Sequence, residues 1–112
     1  MANNIIDLAT AIQLTQNYRN NKDAMVAPDY AQSFHLAETF DAGAIRAILD
    51  QPGCVEFRAY FGMKENKSIC LVFVGVNEQN DDMVGTENNP GVLVEFGREC
   101  PPICGNSSPL LG

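Results

Sequence analysis

The sequence predicts an α+β domain, in which two N-terminal helices pack on a three-stranded antiparallel sheet and an extended C-terminal tail follows. Three observations carry this reading. Apolar residues recur at helical spacing in the first fifty positions. Two apolar runs joined by the polar loop Lys64-Glu65-Asn66-Lys67 follow the helix-stopping Gln51-Pro52-Gly53. The chain then closes on CPPICGNSSPLLG, rich in proline and small residues. At 112 residues the chain is expected to be one domain, divided into a helical half (1–53), a sheet (54–97) and a Cys-Pro tail (98–112).

In the first helix, Ile5, Leu8, Ala9 and Ile12 recur every three or four positions, with Leu14 and Tyr18 beside them, and predict an amphipathic helix over 5–20. Asn20-Asn21-Lys22-Asp23 ends it. Residues 24–39 give no clear element. Asp41 is placed to cap the second helix, with Phe40 and Ile45 flanking it as a hydrophobic staple. Ile45, Ile48 and Leu49 form its expected buried stripe, and Pro52-Gly53 stops it.

Strands are expected at Cys54–Met63, Ser68–Asn77 and Val92–Phe96, the last with Val92, Val94 and Phe96 on one side. A four-residue loop would pair Met63 with Ser68 and set Cys70, Val72 and Val74 opposite Phe61, Ala59 and Phe57. That register leaves Ile69, Leu71 and Phe73 on the same face as the polar row Glu56, Arg58 and Tyr60. A strand apolar on both sides is normally covered on both sides, so a cover is required. Either a second copy, or the chain's own tail through Ile103, Leu110 and Leu111, would supply it.

Charge limits the partners. The formal charge is -7 and the seven bases are scattered, so neither a phosphate backbone nor an anionic membrane surface is an expected partner. The longest apolar run, Ile69–Val76, is too short to cross a bilayer. The N-terminus lacks a basic signal region. A cytoplasmic protein with reduced thiols is therefore expected.

Three groups of side chains carry candidate chemistry. Cys100 and Cys104 can supply two thiolates to a metal or take part in redox exchange, yet no second Cys pair completes a tetrahedral site. A disulfide between them meets an objection. A polyproline spacer rising ~3.1 Å per residue separates their Cα atoms by about 12 Å, whereas disulfides need less than about 7 Å, so a turn at Pro102-Ile103 is required. Glu56, Arg58 and Tyr60 can bind a small anion or serve acid-base chemistry, or form a polar rim beside a subunit contact. His35, the single histidine, has no nucleophile marked near it and reads as structural or surface. Glu78, Asp81, Asp82 and Glu87 do not fit an EF-hand and read as a solvated turn. No nucleotide or hydrolase motif occurs, and no cofactor is expected.

Phe40-Asp41, AIRAILDQPGC, RAYFGM and the Cys-Pro-Pro tail together resemble a group of small bacterial proteins sharing the Gln-Pro-Gly-Cys, Arg-Ala-Tyr and Cys-Pro-Pro blocks over residues 39 to about 110. The resemblance implies a bacterial cytoplasmic setting and no particular activity. Three functions follow as expectations. The first is a non-enzymatic binding module that self-associates as a dimer, with room for a protein partner. The second is a thiol redox or metal-binding protein using Cys100 and Cys104. The third is a small enzyme using Glu56, Arg58 and Tyr60.

Overall fold

In a computed structural model, which describes residues 4–112, Asp7 opens the first helix, accepting from Thr10 N at 2.8 Å; Met1 lies outside the described residues. Because the cap falls at Asp7, α1 runs Leu8–Asn21 and not from position 5. Two 3-10 turns, Lys22–Met25 and Pro28–Tyr30, carry the chain to a short strand, β1 (Ala37–Thr39). Then come α2 (Ala42–Leu49), β2 (Glu56–Met63), β3 (Ile69–Val76), β4 (Leu93–Val94) and β5 (Arg98–Cys100). The architecture is α+β, with two corrections to the expected arrangement. There are two sheets, a three-stranded β2-β3-β4 and a two-stranded antiparallel β1-β5. Among the described residues α2 is the helix that packs along the larger sheet, whereas α1 buries no residue and reaches the sheet through Tyr18, which shares a cavity with it.

The second helix forms as expected. Asp41 accepts from Ala44 N at 3.0 Å, and Gly53, at φ 88°, allows the sharp exit. Ile48 is fully buried and Ile45 half-buried, whereas Leu49 is exposed, so the buried stripe is narrower than expected. Phe40 turns its ring edge-on to Phe73, with centroids 4.7 Å apart, and Phe57 lies against Phe73 from the neighbouring strand. Gln51 ties the helix exit to the third strand, donating to Ile48 O and accepting from Val92 N.

The hairpin register differs from the expected one by a single residue, and this reassigns every side chain. Met63 pairs with Ile69, Phe61 with Leu71, Ala59 with Phe73 and Arg58 with Val74. The cause is the loop. Lys64 O accepts from Lys67 N to close a tight turn, Lys67 then takes a left-handed conformation (φ 73°), and Lys64 N donates to Ser68 O. Asn66 reinforces the turn by accepting from Ser68 N. A turn followed by one left-handed residue makes a three-residue loop, where four had been counted. Phe57, Ala59, Phe61 and Met63 therefore share a face with Ile69, Leu71 and Phe73, while Glu56, Arg58 and Tyr60 share theirs with Cys70, Val72, Val74 and Val76.

β3 is the spine of the molecule. One edge is laddered to β2. Its other edge is met by four separate segments: Ile69 N donates to Ser33 O, Leu71 N to Glu38 Oε1, Phe73 pairs with Val94, and Gly75 O accepts from Met83 N. Val74, Val76 and Cys70 are buried along it. Beyond β3 the chain reverses at Asn77, whose side chain accepts from Gln79 N and Asp81 N. It pairs back at Asp82 and Met83, leaves the sheet between residues 84 and 91, and returns as β4. Val94 is buried, but Phe96, with φ 67°, turns out to solvent at 88 % exposure and does not continue the apolar row.

The tail is not wholly extended. Its first residues, Arg98–Cys100, are β5 and pair with β1 in the register Ala37↔Cys100 and Thr39↔Arg98. Its end lies against α1, where Arg19 Nη1 donates to Leu110 O at 2.7 Å.

Candidate functional site

Three places hold the side chains singled out by the sequence, and the structure treats them differently. The first is the corner where β5 ends. Ile103 N donates back to Glu99 O at 2.9 Å, and both Cys100-Pro101 and Pro101-Pro102 are cis peptides. The chain curls instead of extending, which places the Cα atoms of Cys100 and Cys104 4.8 Å apart and joins them as a disulfide. The turn the disulfide required is present. In this oxidised form neither sulfur is a thiolate, so a metal role would belong to the reduced chain. Among the described residues no cluster of His, Cys, Asp and Glu is arranged to hold a metal ion.

His35 builds the wall of this corner. Its Nδ1 stands 3.1 Å from Pro101 O, and its Nε2 stands 3.0 Å from Ser68 Oγ and 3.3 Å from Glu99 Oε2. Lys64 Nζ approaches the same carboxylate oxygen at 3.7 Å. Leu36 N donates to Cys100 O, and Tyr18 Oη donates to His35 O. A single histidine thus joins the hairpin loop, β5 and the disulfide turn, while the residue before β1 and α1 close over its backbone. Sequence reading gave His35 a structural or surface role but not its partners, which lie 33 and 66 positions away. Behind the corner Glu38 is half-buried. Burial, reinforced by the carboxylate of Glu95, raises its carboxyl above the ordinary range, while the bond from Leu71 N opposes that shift. Burial likewise pushes the Cys70 thiol up, with Glu95 and Glu38 adding to it.

The second place is the polar row. Arg58 donates from Nη1 to Asp82 Oδ1 at 2.5 Å and from Nη2 to Asn80 Oδ1 at 2.6 Å, and Tyr60 donates its hydroxyl to Asp82 Oδ2. The hydroxyl of Tyr60, followed by the guanidinium of Arg58, holds the Asp82 carboxyl below its ordinary value. Arg58 and Tyr60 therefore clasp the loop after β3, and Glu56 stands exposed at the end of the row. Asp82 corrects an expectation: it belongs to this clasp and not to a solvated turn. An aspartate two residues past a tight reversal, facing an Arg-x-Tyr strand, was the available signal.

The third place is the apolar surface around β2. Ile69, Leu71 and Phe73 are each half-buried. Phe73 is covered by Phe40 and Phe57, while Ile69 and Leu71 line a cavity of about 270 Å³ shared with Tyr18, Phe34, Leu36 and Phe61. The chain's own residues 34–40 supply much of the cover that the face needs. Ile103 is about half exposed, Leu110 somewhat less, and Leu111 is half-buried. Exposed apolar side chains are spread over the molecule, from Ile5, Leu8 and Leu14 to Phe96, and one set lies on β2, where Phe57 and Met63 are about half exposed and Phe61 is 82 % exposed.

The fold and these surfaces define a small α+β protein with one clasped loop, one disulfide-closed turn and one open strand edge. No protein-family model, curated protein or solved structure matches the chain. No helix among the described residues is long and apolar enough to cross a membrane.

Proposed function

We propose that this protein is a non-enzymatic module that associates with a second copy of itself through the outer edge of β2. The observation that carries the reading is that edge. The ladder, with Lys64 N on Ser68 O at its loop end, bonds β2 to β3 through even-numbered residues. The N-H and C=O groups of Phe57, Ala59, Phe61 and Met63 therefore point away from the sheet, without a backbone partner among the described residues. An eight-residue edge of this kind is a template for another strand. Its odd face adds the exposed Phe57, Phe61 and Met63, a patch that calls for burial.

A second copy of the strand fits it. Antiparallel pairing about a two-fold axis at Tyr60 sets Phe57 opposite Met63 of the second copy and Ala59 opposite its Phe61, so each Phe61 ring meets a small neighbour and each Phe57 ring an unbranched, adaptable one. The same register sets Glu56 opposite Lys64 of the second copy, a pairing of opposite charges at both ends. A two-residue slip in one direction would face Arg58 with Lys64, like against like. This reading moves the contact from the Ile69, Leu71 and Phe73 face to the adjoining edge, and it assigns Arg58 and Tyr60 to holding a loop rather than to catalysis. A cytoplasmic setting belongs to the same proposal: the thiols of Cys54 and Cys70 are in keeping with it, whereas the Cys100–Cys104 disulfide departs from the reduced thiols expected there.

Light scattering on the purified protein tests it. A dimer is expected at micromolar concentration, and Ala59→Pro is expected to give a folded monomer, because it removes an outward N-H without touching the ladder to β3. A wild-type protein that stays monomeric at high concentration would sink the proposal.

A further inference from the structure

The Cys100–Cys104 disulfide is poorly placed to be a staple. It joins residues four apart within one segment, so it links no two elements. A bond that closes so short a loop restrains the unfolded chain least. β5 is already held to β1 by its own ladder and by Leu36 N on Cys100 O. The turn itself is held by Ile103 N on Glu99 O and by His35 Nδ1 at the Pro101 carbonyl. These bonds do not involve sulfur, so opening the disulfide breaks none of them.

The bond is also asymmetric. Cys100 is 2 % exposed, whereas Cys104 is exposed. Beside it runs a groove of about 420 Å³, within the size range of small-molecule sites. Pro101 and Pro102, the two residues that follow Cys100, line it together with Ala31, Gln32, Phe34, His35 and the Lys22–Asp23 ion pair. An apolar wall and one charge of each sign suit a short zwitterionic peptide.

Independently of the β2 edge, we propose that Cys100–Cys104 is a thiol-disulfide exchange site for a small peptide thiol seated in this groove. The peptide thiolate attacks the sulfur of the exposed residue, Cys104 Sγ. A bond forms between the peptide sulfur and Cys104 Sγ while the bond to Cys100 Sγ breaks. The electron pair of the broken bond stays on Cys100, which leaves as a thiolate and takes a proton from solvent. A second peptide thiolate attacks the first peptide's sulfur and releases Cys104, which is protonated in turn. Two peptide thiols thus become one peptide disulfide, and the protein disulfide becomes two thiols. The retained turn keeps Cys100 beside Cys104, so the reverse reaction closes the bond without a search.

Intact-mass spectrometry with peptide mapping, using glutathione as the probe, tests this. Cys100→Ser incubated with glutathione disulfide is expected to acquire a glutathione adduct on Cys104 at least ten-fold faster than Cys104→Ser acquires one on Cys100. Equal rates, or no adduct on either variant, overturn the proposal. The wild-type protein, reduced by excess glutathione in native buffer, is expected to gain two thiols at Cys100 and Cys104 with its far-UV circular dichroism unchanged. Reduction that proceeds only with loss of that signal shows a structural staple and overturns it as well. In a parallel arm 2-mercaptoethanol, which lacks the peptide, is expected to form its adduct on Cys104 several-fold more slowly than glutathione at equal thiolate concentration. Matched rates overturn the role of the groove.

Discussion

β2 and β3 are adjacent, equal in length and opposite in circumstance. Both span eight residues and share one ladder. On its far side β3 has bonding partners from four different parts of the chain, and Val74 and Val76 along it are almost wholly buried. On its far side β2 meets no backbone partner among the described residues, and Phe61 stands in solvent. Strand propensity does not separate them, because both are rich in aromatic or β-branched residues. Position in the sheet does: the central strand carries the fold, and the edge strand is free to carry an interaction.

The comparison predicts that disturbing the cover of β3 has the largest effect on stability. Ile48, on α2, is fully buried where the helix lies against the sheet. Ile48→Ala removes three carbons from a site with no solvent to refill it and is expected to lower unfolding free energy by about 2–5 kcal/mol. Denaturant unfolding measures this; a loss under about 1 kcal/mol would mean that α2 contributes little to holding β3.

Next come the polar contacts that tie other segments to the two strands, Asp82 to β2 and Glu38 to β3, and these act through pH. Asp82 has a depressed carboxyl pKa in the folded protein, set by Tyr60 and then Arg58. Its contribution is fully present above its ordinary value of about 3.9 and is lost as pH falls through the lower folded value. Glu38 runs the other way. Its pKa is raised by burial and by Glu95, so the folded state binds its proton first, and stability rises as pH falls from neutral toward its ordinary value of about 4.3. Together they predict greatest stability at mildly acidic pH. Glu38→Gln should flatten the neutral side of that profile and Asp82→Asn the acid side, as read by thermal unfolding across pH. Profiles unchanged by either substitution would remove both groups from the pH response.

Much of this was legible in the residues, and the failures have physical causes. Asp41 and Pro52-Gly53 mark α2 because capping and helix stopping are local interactions, and the structure places both as read. The three strands of the larger sheet lie within two residues of the expected bounds at each end, because apolar runs bounded by turns are local too. The register failed through one backbone angle at Lys67, which sequence does not signal since lysine seldom adopts a left-handed conformation. The second sheet failed because β1 and β5 are three residues each and meet across some sixty positions. The disulfide turn was judged on extended geometry that Ile103 N and Glu99 O do not allow. The clasp is half legible: the sequence singles out Arg58 and Tyr60 as a row, but it places Asp82, which gives them their role, in a solvated turn.

The smallest effect on folding, and the sharpest on association, is expected at the exposed end of the comparison. Phe61 is 82 % exposed, so the isolated subunit draws little from its ring. Phe61→Lys should change unfolding free energy of the monomer by no more than about 0.5 kcal/mol, as is usual for surface substitutions. On the β2 edge the same change places a charge opposite Ala59 of a second copy and near the rings of its neighbours, and lysine on an edge strand opposes edge-to-edge pairing. Sedimentation equilibrium should then show a dimer weakened at least ten-fold, with the melting temperature of dilute protein unchanged. A variant that loses stability and keeps its dimer would reverse the assignment: Phe61 would belong to the fold, and the interaction would lie elsewhere than on β2.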